Sequence, residues 1–177
     1  MKNIIIALLA FGSLAFTKDH STENAEVKWL TVEEAYAQTQ VNPKPILIDV
    51  YTDWCGWCKK MDKTTYANAE IVNFLNDNYY AVKFDAEQKE DVTIMGHTFK
   101  FVAEGRRGYH ELAAALLNGQ MSYPSTVFLT DSFHVIQPIP GYLDAKGIEP
   151  ILHFFATENF QSLDWNTFQK EFKSNID

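Results

Sequence analysis

Cys55 and Cys58 are the two residues of this chain whose type and spacing indicate chemistry. They are the only cysteines among its 177 residues, and Gly56 and Trp57 separate them. A disulfide between residues this close closes a very short loop and would stabilise the fold only weakly. We therefore expect the pair to carry out thiol–disulfide exchange, with a purely structural disulfide as the alternative.

Two neighbouring segments would position this pair. Residues 46–51 form an apolar run with one acid, Asp49, a pattern that suits a central strand covered on both faces. A helical stretch follows over residues 59–66, and the N-terminus of a helix stabilises a thiolate through its unpaired N–H groups and its dipole. Cys55, at the exposed turn, would attack a substrate disulfide, and Cys58 would resolve the mixed disulfide.

Metal and haem sites are weaker interpretations of the same pair. Zinc normally takes four ligands, and the five histidines show no close pairing that would complete a site. Attachment of a c-type haem needs a histidine directly after the second cysteine, where this chain has Lys59. We expect no metal and no organic cofactor, because the redox-active cysteines are themselves the redox group.

The charge of the chain argues against nucleic acid as a partner. The formal net charge is -8, and the only adjacent arginines are Arg106 and Arg107. Binding to phosphates requires a larger cluster of basic residues than this pair.

The N-terminus has the pattern of a signal peptide. Lys2 precedes an apolar run, and small residues at Ser13 and Ala15 fit cleavage after Ala15. The run is short for a membrane-spanning helix, which needs about 20 apolar residues. We expect residues 1–15 to be a cleaved signal peptide and residues 16–26 a flexible lead-in, which places a periplasmic or secreted protein without stable membrane insertion. A buried or disordered apolar N-terminus is the alternative.

The remaining residues, 27–177, are predicted to form one α/β domain. Early alternation of strands and helices implies parallel pairing, and a late pair of strands implies a hairpin. Pro138 and Pro140 place the last strand at a sheet edge. The predicted helices, besides that after the cysteines, are 31–40, 69–76, 110–117, 145–156 and 164–173, and the further strands are 79–84, 126–130 and 135–139.

The segment ILIDVYTDWCGWCK, residues 46–59, resembles the active-site region of the thioredoxin superfamily. The likeness covers about residues 27–156, and it includes Asp49 six residues before Cys55 and a Tyr-Pro pair before a later strand. It implies a thioredoxin fold, with a central mixed β-sheet flanked by helices. The chain is most similar to exported bacterial thioredoxin-like and disulfide-isomerase-like proteins, and to the periplasmic thioredoxin domains of transmembrane thiol reductases.

The resemblance also implies roles for individual residues. Burial should raise the pKa of Asp49, which could then exchange a proton with Cys58; a buried acid held by a backbone N–H is the alternative. Pro124 would be cis and present backbone groups to an extended client. The other expected client contacts are Tyr123, Trp54, Gly56 and Trp57.

Two departures from the family pattern concern function. The Gly56-Trp57 dipeptide matches neither the Gly-Pro of thioredoxins nor the Gly-His of disulfide isomerases, so the direction of electron flow stays open. Residues 87–121 are longer than their thioredoxin equivalent, between the third strand and the cis-proline loop. They form either an insertion near the active site or a remote surface elaboration; the residues expected there are Phe99, Phe101, Arg106, Arg107 and Tyr109.

These observations favour a thiol–disulfide oxidoreductase that acts on exported proteins with thiols or disulfides. A reductase or an isomerase is favoured over a strong oxidase, and a recycling redox partner is implied, such as a membrane thiol reductase. The alternative is a chaperone-like module that binds peptides on a thioredoxin fold without an essential redox role. A peroxidase is a weaker alternative.

Overall fold

The computed structural model describes residues 26–157 and 159–176, so the predicted signal peptide lies outside the described residues. The helices are α1 (Val32–Thr39), α2 (Gly56–Thr64), α3 (Ala69–Asn78), α4 (Glu111–Leu116), α5 (Ala145–Ala156), α6 (Asn159–Ser162) and α7 (Trp165–Glu171). The strands are β1 (Ile46–Tyr51), β2 (Tyr80–Asp85), β3 (Val92–Ile94), β4 (His97–Phe99), β5 (Phe101–Val102), β6 (Tyr109–His110), β7 (Ser125–Leu129) and β8 (Val135–Pro140).

A four-stranded mixed sheet with the order β2-β1-β7-β8 forms the centre of the molecule. Strand β1 pairs in parallel with β2 and antiparallel with β7, and β7 pairs antiparallel with β8. The predicted central position of β1 and edge position of the proline-containing β8 are therefore confirmed. The α/β thioredoxin fold inferred from the sequence is confirmed as well, with helices packed on both faces of the sheet.

Strand β1 is buried on both faces because its side chains alternate between two apolar clusters. Ile46, Ile48 and Val50 belong to the cluster that includes residues of α1 and α4. Leu47 belongs to the other cluster, which includes residues of α2, α3 and α5. Alternation along the strand places Asp49 on the same face as Leu47, so its carboxyl group points toward the side of the sheet that α2 covers.

The strand count before the insertion is a correction to the sequence analysis. The sequence analysis placed residues 87–121 after a third strand, but only β1 and β2 precede them among the described residues. Leu30 forms an isolated parallel bridge with Val82, on the side of β2 that faces away from β1. A single bridge forms there because the chain enters α1 directly afterwards, through the capping box of Thr31 and Glu34.

Helix α2 begins at Gly56, three residues earlier than the predicted start at Lys59. The reason is that Cys55 itself is the N-cap, with its Sγ accepting a hydrogen bond from the backbone N–H of Cys58 at 3.1 Å. A cysteine is not among the preferred N-cap residues, so the residue pattern contained no sign of this start.

The C-terminal helices pack against each other through aromatic side chains. Phe154 of α5 contacts Trp165 and Phe168 of α7, with ring centroids 5.3 and 5.1 Å apart. His153 contacts Phe172 just after α7, at 5.1 Å. Asp164 is the N-cap of α7. In the described part of the chain, none of the helices combines the length and apolar character needed to cross a membrane.

Residues 87–121 contain two small antiparallel pairs, β3–β4 and β5–β6, followed by α4. His110, at the end of β6, is fully buried and joins this segment to the sheet. Its backbone N–H donates to the carbonyl of Ala86 at 2.7 Å, and its Nε2 lies 3.1 Å from the carbonyl oxygen of Glu90. The N–H of Leu112 donates to its Nδ1 at 3.2 Å. The segment is thus fixed to the end of β2.

We expect Gly108→Ala to destabilise the protein more than Gly105→Ala does. Both glycines have a positive φ, but a Cβ on Gly108 would lie 2.4 Å from Phe101 and from the carbonyl oxygen of Val102, whereas Gly105 has open space. Left-handed backbone alone costs an alanine about 1 kcal/mol, and overpacking adds about 2 kcal/mol at Gly108. Urea denaturation measures both losses, and equal losses would contradict the close packing of Gly108 against β5.

Candidate active site

Cys55 and Cys58 form a disulfide, with an S–S distance of 2.08 Å, in the turn between β1 and the first residues of α2. The N–H of Cys55 donates to the carbonyl of Thr52 at 3.0 Å, which closes the turn. The hydrogen bond from the Cys58 N–H to Cys55 Sγ aims the helix N-terminus at that sulfur. This arrangement can stabilise a thiolate on Cys55 after reduction.

The two cysteines are buried, and the indole side chain that precedes each of them is exposed. Cys55 and Cys58 are 5% and 1% exposed, while Trp54 and Trp57 are 52% and 58% exposed. Gly56 has no atom within 4 Å of the position that a Cβ would take, so the surface beside the sulfurs is open. A client chain can therefore contact both indoles as it approaches Cys55.

The Tyr123–Pro124 peptide bond is cis, as the resemblance to thioredoxins implies. The loop leads directly into β7, where Ser125 pairs with Val50 at the end of β1. The cis-proline loop and the cysteine turn are consequently at the same end of the two paired strands. The carbonyl oxygen of Pro124 accepts a hydrogen bond from the N–H of Gly141 at 2.8 Å.

Tyr123 lies against the indole that precedes Cys55. Its ring meets Trp54 edge-on, with centroids 6.0 Å apart. Burial, together with the charges of Glu87 and Asp85, raises the pKa of Tyr123 to about 12. The phenol is therefore neutral at physiological pH and contributes an apolar face and a hydroxyl to the site.

Trp54 also contacts the segment 87–121. Its Nε1 donates to Oε1 of Glu87 at 2.8 Å, and the guanidinium carbon of Arg107 lies 4.5 Å from the indole centroid. The segment therefore reaches the active site, and the alternative of a remote elaboration is wrong. Of the five residues expected near the site, Arg107 is the one that the structure places on Trp54. Phe99 packs against a core cluster instead.

Trp57 contacts a second group of side chains, Lys60 and Tyr142. The Nζ atom of Lys60 lies 4.8 Å from the Trp57 ring and 5.0 Å from the Tyr142 ring. The two aromatic rings lie 5.4 Å apart, and the Tyr142 hydroxyl is 3.1 Å from Oγ1 of Thr64. Trp57 is thus held beside the disulfide by contacts within α2 and with the segment that follows β8.

Asp49 is buried under this site and forms an ion pair rather than the backbone hydrogen bond considered as an alternative. Its Oδ2 lies 2.5 Å from Nζ of Lys83, which also contacts Asp62 of α2. Its Oδ1 has no partner among the described residues. Burial raises the pKa of Asp49 to about 6, although Lys83 acts in the opposite direction.

Lys83 is enclosed by three aromatic rings. Its Nζ lies 5.1 Å from Trp29, 5.0 Å from Tyr51 and 5.4 Å from Tyr66. Burial lowers the pKa of Lys83, but the two carboxylates outweigh it and the net shift is upward. A cavity of about 560 Å³, lined in part by Lys83, Asp62 and Tyr66, opens beside this group.

The sequence analysis did not identify Lys83, Asp62 or Glu87. Lys83 interrupts the apolar part of β2, residues 80–84, but its partner became evident only from the β1–β2 register, which places it opposite Asp49. Asp62 lies four residues after Cys58, on the same face of α2, and that spacing was a usable signal. Nothing in the sequence pattern pointed from Glu87 to the indole that it contacts.

We expect Asp49→Asn to change how stability depends on pH. The pKa of Asp49 is higher in the folded protein than in the unfolded chain, so the stability it contributes is present at low pH and is lost as the pH rises through about 6. Between about pH 4 and about pH 8, the oxidised wild type should lose about 2 kcal/mol relative to Asp49→Asn.

Denaturant unfolding of both proteins at a series of pH values measures this difference. Asp53→Asn is the matched control, because Asp53 is an exposed acid in the adjacent turn. Wild type and Asp49→Asn curves that run parallel would contradict the raised pKa.

Comparison with known proteins identifies the family. The Thioredox_DsbH family model (protein of unknown function, DUF255) matches residues 9–155. Uncharacterized protein B0495.5 of Caenorhabditis elegans is 32% identical over 135 residues, which are 75% of this chain and 16% of that protein. The thiol:disulfide interchange protein DsbD of Shigella boydii is 30% identical over 69 residues, 38% of this chain and 12% of that one.

The chain thus spans less than a fifth of the length of either relative. Among solved structures, a thioredoxin from Thermus thermophilus superposes with a TM-score of 0.56 at 14% identity, over 76% of this chain and 90% of that one. This likeness concerns the fold. Because the family model covers most of the chain, the protein belongs to the Thioredox_DsbH family of thioredoxin-like proteins.

Proposed function

We propose that the protein is a thiol–disulfide oxidoreductase whose redox group is the Cys55–Cys58 pair. The observation that carries the proposal is the position of the disulfide at the N-terminus of α2, where the Cys58 N–H donates to Cys55 Sγ at 3.1 Å. A structural disulfide would not need this placement, and a loop with a sequence separation of 3 adds little stability. The relationship to a protein named for thiol:disulfide interchange supports the same role.

In the reducing direction, the Cys55 thiolate attacks one sulfur of a client disulfide. A bond forms between Cys55 Sγ and that sulfur, the client S–S bond breaks, and the other client sulfur leaves as a thiolate. The Cys58 thiolate then attacks Cys55 Sγ, which restores the intramolecular disulfide and releases the second client thiolate. Two electrons pass from the protein to the client, so an external dithiol must reduce the protein again. In isomerisation, the client's own thiol resolves the mixed disulfide.

We assign to Asp49 the role of exchanging a proton with Cys58 during resolution. A pKa of about 6 lets this carboxyl both bind and release a proton near neutral pH. Lys83 and Asp62 link it to the adjacent cavity, through which protons can exchange with solvent. Asp49 lies on the face of the sheet that α2 covers, which supports this assignment.

The client is proposed to be an extended segment of an exported protein. Trp54, Gly56 and Trp57 offer an open surface beside the sulfurs, and Tyr123 and Pro124 supply the adjoining loop. Export to the periplasm rests on the signal-peptide pattern of the N-terminal residues. The relationship to DsbD supports a membrane thiol reductase as the recycling partner.

We expect the reduced protein to accelerate the precipitation of insulin in dithiothreitol. Cys55→Ser should abolish this activity, because no thiolate is left to attack the client. Cys58→Ser is the informative comparison: it should accumulate mixed disulfides on Cys55, which non-reducing gels and mass spectrometry detect. Full activity of Cys55→Ser would contradict the proposal.

The alternative of a peptide-binding module makes a different prediction for the double variant Cys55→Ser/Cys58→Ser. A module without a redox role would retain client binding in a pull-down, whereas exchange-dependent association should be lost.

Equilibration with glutathione buffers tests the direction of electron flow. We expect a reduction potential between those of thioredoxin, about -270 mV, and protein disulfide isomerase, about -180 mV. Such a value would make the protein a reductant or an isomerase. A potential near about -120 mV, that of a strong oxidant, would contradict this expectation.

A further inference from the structure

Two cations at the active site have no role in the chemistry described above. Arg107 reaches the face of Trp54 from the insertion, at 4.5 Å, and Lys60 lies 4.8 Å from the ring of Trp57. Each of these indoles directly precedes one of the two cysteines. Both cysteines of the disulfide are therefore preceded by an exposed indole on which a cation is stacked.

Neither cation forms an ion pair with another described residue. The described ion pairs involve Lys83 and Lys100 instead. The carboxylates on the insertion side of Trp54 already have partners. Glu87 accepts from the indole N–H at 2.8 Å, and Asp85 accepts from the Glu87 N–H at 2.9 Å. These donors are neutral and leave both carboxylates charged, but neither carboxylate forms an ion pair with Arg107 or Lys60, so each cation can still pair with a bound molecule.

Stacking on an indole leaves the hydrogen-bonding groups of a cation accessible. A guanidinium that lies on an aromatic face keeps its N–H donors at the edge, where they match both oxygens of a carboxylate. An ammonium group above a ring likewise retains donors that point away from it. Because the rings fix the cations beside the cysteines, a carboxylate that pairs with them must lie near the client's own reacting sulfur.

We infer that Arg107 and Lys60 are specificity-determining residues that select extended client segments with acidic side chains next to the reactive cysteine. This inference rests on the proposed thiol–disulfide exchange and names its substrate class. The chain as a whole has a net charge of -8, which on its own would favour basic clients. Arg107 and Lys60 add positive charge next to the indoles that precede the cysteines, and so favour an acidic client residue at these two positions.

Three disulfide-linked peptides that differ only in the residues flanking cysteine test this inference. The flanking residues are Glu, Gln or Lys, and the readout is kcat/KM for reduction by the wild type with dithiothreitol as the recycling reductant. A partly exposed ion pair can raise kcat/KM by up to about fivefold. We therefore expect kcat/KM to be about fivefold higher for the Glu peptide than for the Gln peptide, and lowest for the Lys peptide. The difference should lie mainly in KM and should diminish at high salt.

Charge reversal identifies the residues responsible. Arg107→Glu and Lys60→Glu should each lower the Glu-to-Lys ratio of kcat/KM, and the double variant should invert it. Arg106→Glu and Lys63→Glu are the matched controls: each makes the same change in net charge on a neighbouring exposed residue. The ratio is compared within each variant, so losses of folding or of chemistry cancel from it.

Four outcomes would overturn the inference. Equal rates for the three peptides, or a preference for the Lys peptide, would overturn it while leaving the proposed function intact. Controls that shift the ratio as much as Arg107→Glu and Lys60→Glu would assign the preference to overall charge instead. A wild type that reduces none of the peptides would overturn the proposed function, and this inference with it.

Discussion

The burial of β1 on both faces is the constraint on which the rest of the structure depends. A strand enclosed by β2 and β7 can have one register only, because a shift by one residue would exchange the side chains of its two faces. That register places Asp49 between Lys83 and Thr126. It also fixes where the strand ends, and hence where the turn with Cys55 leaves the sheet beside the cis-proline loop.

The same burial makes the carboxyl group of Asp49 unstable as an anion. Lys83 provides a counter-charge, yet burial has the larger effect, and the pKa stays raised at about 6. Oδ1 of Asp49 is also buried without a hydrogen-bond partner among the described residues. Such an arrangement costs folding free energy. In the proposed mechanism, this burial is what allows Asp49 to gain or lose a proton near neutral pH.

Elements with regular patterns could be predicted from the sequence, and contacts across the sheet could not. The apolar run of β1 and the two prolines of β8 are local signals, and the structure has each strand where they indicate. The strands of the 87–121 segment are two or three residues long, too short for a period to be recognised. Lys83 and Glu87 required the fold, because each meets its partner more than thirty residues away in the chain.

Trp54 joins three parts of the molecule that the sequence separates. It precedes Cys55, it contacts Tyr123 of the cis-proline loop, and it contacts Glu87 and Arg107 on either side of the insertion's first hairpin. His110 anchors that segment to the end of β2, so Arg107 is carried by a supported element rather than by a long free loop. The cysteine turn can therefore carry out the exchange while the 87–121 segment contributes to the client preference, and Trp54 connects the two segments.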